Sequence, residues 1–124
     1  MTTRFLRSRA TIGVRDVTEA IAFYRRAVGF DVIVTMGEPP SFALIGMGEV
    51  GLGLVACEVP PVAGFACCYV DVHGVEALFQ RCVEAGVTIT SPLTRQPWGN
   101  HDFVVADPDG NQIAFGEVPA EMPS

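Results

Sequence analysis

Asp16-Val-Thr-Glu-Ala-Ile-Ala-Phe-Tyr-Arg-Arg-Ala-Val-Gly29 returns, 57 positions on, as His73-Gly-Val-Glu-Ala-Leu-Phe-Gln-Arg-Cys-Val-Glu-Ala-Gly86. Both stretches read as amphipathic helices. In the first, Val17, Ala20, Ile21, Tyr24 and Val28 fall on one face at helical spacing. Asp16 is placed to cap the free N–H groups of the first turn, with Glu19 completing the capping-box pattern. Gly29 supplies the left-handed residue that stops the helix. In the second, Val75, Leu78, Phe79 and Cys82 share a face opposite Gln80, Arg81 and Glu84, up to Gly86. Phe23, Tyr24 and Phe79 are core residues on this reading.

Outward from each helix the sequence alternates as strands do. Ala10–Val14 and Phe30–Met36 flank the first helix; Phe65–Val70 and Val87–Thr90 flank the second. Each half then continues into a hairpin. Phe42–Ile45 and Val50–Val55 enclose Gly46-Met-Gly-Glu49; Asp102–Ala106 and Gln112–Glu117 enclose Asp107-Pro-Asp-Gly-Asn111. In the latter turn Pro108 presets φ and Gly110 takes the positive-φ position of a three-residue hairpin. The expected fold is α+β: two tandem βαβββ modules, about 5–57 and 63–118, forming curled mixed sheets in one domain over 1–124. A two-fold repeat of this size is a duplicated module, since a solenoid needs three or more.

The composition supports one full core: 124 residues, 49% hydrophobic and only 18% charged. A net charge of −6 argues against a nucleic-acid backbone or an anionic membrane as partner. All eight basic residues are Arg. With no Lys, Schiff-base chemistry, pyridoxal phosphate attachment and the P-loop lysine are excluded. Six of the Arg precede residue 27 and read as a solvated face. No apolar run reaches the length of a membrane span or a leader. Cys57, Cys67, Cys68 and Cys82 show no C-x-x-C spacing, and on a regular strand Cys67 and Cys68 point to opposite faces. They are expected as reduced thiols in a cytoplasmic protein.

The tandem βαβββ plan, the segment Val14–Tyr24 with Gly29-Phe30, Pro97-Trp-Gly-Asn-His-Asp-Phe103 and Asp107-Pro-Asp-Gly-Asn-Gln-Ile-Ala-Phe-Gly-Glu117 together resemble the vicinal oxygen chelate superfamily. That group holds glyoxalases, extradiol dioxygenases, fosfomycin-modifying enzymes and bleomycin-resistance binding proteins, and the resemblance covers nearly the whole chain. It implies a cup formed by each curled sheet, and a homodimer whose cups are built between modules of two subunits. The apolar stretches 39–45 and 59–65 are the expected interface.

In the superfamily's enzymes the first and last strands of each module supply His, Gln or Glu to a divalent metal. Counted from the matched motifs, those positions carry Arg9, Gly53, Phe65 and Ala114. None offers the lone-pair side chain that such a metal needs, so no metal or other cofactor is expected. The implied cup lining is Arg9, Phe42, Phe65, Cys67, Tyr69, Val104, Gln112 and Ala114, with Trp98, His101 and Asp102 at the rim. For the third strand, Phe42 with Leu44 is favoured over Ala43 with Ile45. Two readings of Trp98 stay open: stacking on a ligand, or plugging its loop against the sheet. Arg9 faces either a ligand anion or Asp102 or Glu117.

A largely apolar, aromatic lining suits a bulky hydrophobic or aromatic small molecule. The resemblance therefore implies a non-catalytic protein that sequesters an antibiotic or other natural product, a resistance function. The alternative is a lyase, isomerase or dioxygenase of the same superfamily, with a relocated metal or metal-free acid–base chemistry by His101 with Asp102.

Overall fold

The computed structural model describes residues 2–58 and 66–119. The chain runs β1 (Ala10–Val14), α1 (Val17–Val28), β2 (Asp31–Met36), β3 (Phe42–Met47), β4 (Val50–Ala56), β5 (Ala66–Asp71), α2 (Val75–Glu84), β6 (Thr88–Arg95), β7 (His101–Ala106) and β8 (Gln112–Glu117). The two copies of the repeat form two mixed four-stranded sheets, ordered β1-β4-β3-β2 and β5-β8-β7-β6. In each, the first strand lies parallel to the last, and the remaining pairs are antiparallel. No helix among the described residues is long and apolar enough to cross a membrane.

The helix ends follow from their residues. The Asp16 carboxylate accepts the Glu19 N–H at 3.0 Å, and Gly29 adopts φ 83° to end α1. Gly74, at the same place before α2, has no side chain to offer. Its role passes to Glu117 on β8, whose carboxylate accepts the Gly74 and Val75 N–H groups, both at 3.0 Å. Those donors hold the Glu117 carboxyl below the usual carboxylate range.

One face of each sheet packs under a helix. In the first module Ile12, Val14, Ala43, Ile45, Leu52 and Leu54 are buried against α1; in the second Phe103, Val105, Ile113 and Phe115 are buried, with Phe79 of α2 edge-on to Phe103 at 5.1 Å. The helices also touch each other: the buried Cys82 thiol donates to the Ala27 carbonyl at 3.6 Å. Burial pushes that thiol up to about 11.

The Asp107–Asn111 turn joins the modules. Asp107 is buried, and its carboxylate accepts the Tyr24 hydroxyl of α1 at 2.8 Å. It also accepts the Asp109 and Asn111 N–H groups at 2.9 Å each and the Asn111 side chain at 3.1 Å. Asn111 donates to the Gly13 carbonyl of β1 at 2.8 Å, and Asp109 pairs with Arg15 at 3.1 Å. Burial, with the Asp107 carboxylate beside it, drives the Tyr24 phenol far above its ordinary range.

Two expectations need correction. The strand expected to stop at Thr90 continues to Arg95, because Pro92 lies on the edge strand β6, where register shifts absorb its missing N–H. Cys67 and Cys68 do not lie on a regular strand. The register of β5 against β8 shifts between Ala66 and Cys68, which interrupts the alternation at Cys67.

Candidate functional site

The sheet faces turned away from the helices are where inward-alternating residues collect. In the first module the pairs Thr11↔Gly53, Leu44↔Gly53, Phe42↔Val55, Val34↔Leu44 and Met36↔Phe42 put these side chains on one open face. Phe42 with Leu44 is the pair on that face, since Ala43 and Ile45 are 0% and 1% exposed in the core. A Cβ on Gly53 would come too close to Thr11 Oγ1, at 2.9 Å, and would stand in ordinary contact with the Phe42 ring at 3.5 Å, so Phe42 lies over the Gly53 backbone. Around it Val34 and Met36 are 45% and 56% exposed. This face is apolar and uncovered.

The open face of the second module is built otherwise. Val104 pairs with Ala114 and Asp102 with Gly116, and Tyr69 pairs with Ala114. A Cβ on Gly116 would run into the Tyr69 ring and hydroxyl, so the phenol rests on bare backbone. Its hydroxyl donates to Asp102 Oδ2 at 3.0 Å and accepts from Asn100 at 3.1 Å. Gln96 donates to Asp102 Oδ1 at 2.8 Å, so each oxygen of this buried carboxylate has a donor. Thr90 donates to Gln112 Oε1 at 2.9 Å. Desolvation, reinforced by Asp102, raises the Tyr69 phenol above its ordinary value against the opposing bond from Asn100.

Of the residues expected at the site, Phe42, Tyr69, Asp102, Val104, Gln112 and Ala114 lie on the open faces. Phe65, like the stretch 59–65, lies outside the described residues. Cys67 sits at the irregularity in β5 and leaves the alternation that would set it beside Tyr69. His101 alternates with Phe103 and Val105 on the helix side, with Nδ1 at 3.9 Å from Glu76 on α2, so it does not meet Asp102 in a common rim. Arg9 precedes β1, and a Cβ on Gly51 would come within 3.2 Å of its stem. Asp102 and Glu117 are both engaged elsewhere, and Arg9 makes no ion pair among the described residues. Trp98 stands 62% exposed at the tip of the β6–β7 turn and does not plug it.

Gln96, Asn100 and Thr90 were not among the expected residues. Gln96 and Asn100 are reached because β6 extends past Pro92 and delivers the turn 96–100 to the edge of the open face, and Thr90 through its bond to Gln112. Val34 and Met36 are missed too: Val32 pairs with Ile45 on the helix side, and the register shift between Val32 and Val34 turns Val34 and Met36 to the face of Phe42.

The sequence profile of the Glyoxalase/Bleomycin resistance protein/Dioxygenase superfamily matches residues 7–115. The chain belongs to that superfamily. It is 28% identical over 128 residues to a bleomycin resistance protein of Geobacillus stearothermophilus, covering 89% of this chain and 95% of that one. Its fold matches a bleomycin-binding protein complexed with bleomycin, with a TM-score of 0.77 and 19% identity over 93% of this chain and all of that one. It also matches TioX from Micromonospora sp. ML1, with a TM-score of 0.76 and 22% identity over 93% of this chain and all of that one.

Glyoxalases and dioxygenases of this superfamily imply a divalent metal, and the donor set here does not fit one. Arg9, Gly53 and Ala114 stand at the described positions counted for ligands, and Asp102 spends both oxygens on Tyr69 and Gln96. No group of three or more His, Cys, Asp or Glu converges to hold a metal among the described residues. The superfamily's open faces here present hydrophobic contact on one module and hydrogen bonds on the other.

Proposed function

We propose that this chain is a cytoplasmic, non-catalytic binding protein that sequesters a hydrophobic or aromatic antibiotic. The uncovered apolar face around Phe42 carries this reading. Apolar side chains exposed together on a sheet face mark a surface meant to be covered. The polar cluster of Tyr69, Asp102, Gln96 and Asn100 supplies the few directed hydrogen bonds that orient a ligand on such a surface. Arg9, Trp98 and Phe65 belong to the proposed lining through the family resemblance. A ligand of about 40 heavy atoms at ~0.3 kcal/mol per atom reaches nanomolar affinity without any chemistry. The name of the Geobacillus relative and the bleomycin complex of the structural neighbour support the choice of antibiotic.

The proposal includes a homodimer in which the open face of module one in one subunit meets that of module two in its partner. Phe5 and Leu6, 97% and 74% exposed ahead of β1, add apolar surface for that association.

The test is titration of metal-free bleomycin into the purified full-length protein by calorimetry, with Trp98 fluorescence followed in parallel and mass by light scattering. Stoichiometric binding to a dimer, with bleomycin recovered chemically unchanged, is expected. Phe42→Ala then weakens binding about ten-fold or more, the loss of one buried aromatic contact. Recovery of an altered ligand, or affinity indifferent to Phe42, overturns the reading.

A further inference from the structure

The first nine residues hold three Arg and no acid, while the rest of the chain sets five Arg against fourteen acids. Of those three, Arg7 and Arg9 enter no hydrogen bond or ion pair among the described residues, unlike Arg15, Arg81 and Arg95. Arg9 is nonetheless held in place. A Cβ on Gly51 would meet its Cγ, Cδ and Nε at 3.2 Å each, so the stem lies along bare backbone. The cross-strand partner of Gly51 is Gly46, a second residue with no side chain to displace it. Gly51 and Gly53 share one side of β4, and Gly53 lies beneath Thr11 and Phe42, so Arg9 continues the open face of module one. With Leu6 and Arg7 it lines a cavity of about 430 Å³.

We propose that this cavity is the anion-binding end of the open face, and that the ligand is an aromatic or hydrophobic small molecule carrying one acidic group, a carboxylate, sulfonate or phenolate. This ligand class rests on the binding reading above and adds a charge to it. A guanidinium stays ionised at physiological pH and offers such an acid paired N–H donors. Laid against backbone before any ligand arrives, the Arg9 stem loses less freedom on binding than an arginine loose in solvent. Two cations beside Leu6 and the apolar surface around Phe42 match a single acid on an apolar body. Polyanions are disfavoured, because the rest of the chain carries a strong excess of acids. A cationic ligand is the weaker match, since the Asp102 carboxylate of the other open face already accepts a bond at each oxygen, from Tyr69 and Gln96.

Anilinonaphthalene sulfonate and unsulfonated anilinonaphthalene are the probes: they share one aromatic body, and only the first carries an acid. Each is titrated into the purified full-length protein, with its fluorescence read at low and at high salt. The sulfonate is expected to bind about ten-fold or more tighter at low salt, an advantage that shrinks as salt screens the guanidinium groups. Arg9→Gln removes most of that advantage and Arg7→Gln part of it. Arg25→Gln, on the exposed side of α1, leaves it intact. Phe42→Ala weakens both probes together, which separates the apolar face from the charge. Equal affinity for the two probes, or a sulfonate preference that survives Arg9→Gln, overturns the acidic class while the apolar face still stands through Phe42. Indifference of both probes to Phe42→Ala overturns the binding face, and the acidic class with it.

Discussion

The two modules share a backbone plan and differ most where the plan does not constrain them. On the helix side both present branched and aromatic residues, Ile12, Val14, Ile45 and Leu54 in one, Phe103, Val105, Ile113 and Phe115 in the other. On the open side module one shows Phe42, Leu44, Val34 and Met36, while module two shows a bonded set of Tyr69, Asp102, Gln96 and Asn100. Because side chains alternate along a strand, the helix-facing half of each sheet sustains folding and leaves the other half free to diverge. The repeat is thus conserved in architecture and divided in chemistry: one face for apolar contact, one for orientation.

The sharpest way to break this comparison is at the hairpin turns. The turn of module two is part of the core, since Asp107 gathers four donors, including Tyr24 from the other module. Asp107→Ala strands those buried donors, and each unsatisfied one costs about 1–3 kcal/mol, so a loss of about 3 kcal/mol or more is expected in urea unfolding. The turn of module one is solvent-facing, and Glu49→Ala is expected to change stability by no more than about 0.5 kcal/mol. Equal effects at the two turns contradict the asymmetry. Tyr24→Phe falls between, at about 1–3 kcal/mol, because Asp107 loses one of its four donors.

Glycines on the open faces give the next contrast. Gly116→Ala drives a methyl into the Tyr69 ring and breaks its bond to Asp102, at about 1–3 kcal/mol. Gly53→Ala meets the rotatable Thr11 hydroxyl and is milder. Adding Tyr69→Ala to Gly116→Ala recovers part of the loss, a coupling that denaturation of the single and double variants measures directly. Simple additivity removes the claim that Gly116 exists to seat the phenol.

Much of this architecture was legible. The duplicated helix, its Asp16 cap and its Gly29 stop, and the pairing of Val104 with Ala114 and Asp102 with Gly116 all follow from local rules: periodicity, capping and hairpin loop length. The site was legible by halves. Alternation placed Phe42, Tyr69 and Asp102 on open faces, but it misplaces any residue beyond an irregularity. One register shift interrupts the alternation at Cys67, another turns Val34 and Met36 to the open face, and the passage of β6 through Pro92 conceals Gln96 and Asn100. A polar cluster also hides from composition, because its members become a cluster only when strands distant in sequence pair.

The smallest expected effect compares the two helix N-termini. Asp16 caps α1 from three residues away, while α2 waits for Glu117 to arrive on the last strand, so its cap exists only once β8 is in place. The Glu117 carboxyl titrates below its ordinary value of 4.5 in the folded protein, first because it accepts the Val75 N–H. A depressed folded value means the contribution is present above the unfolded value and is lost as pH falls through the folded one. Amide exchange at Gly74 and Val75 is therefore expected to lose protection, relative to the middle of α2, as pH drops below about the ordinary carboxylate range. Glu117→Gln abolishes that pH dependence while leaving an acceptor oxygen. Persistent protection at Gly74 and Val75 in acid would place their acceptor elsewhere than on Glu117.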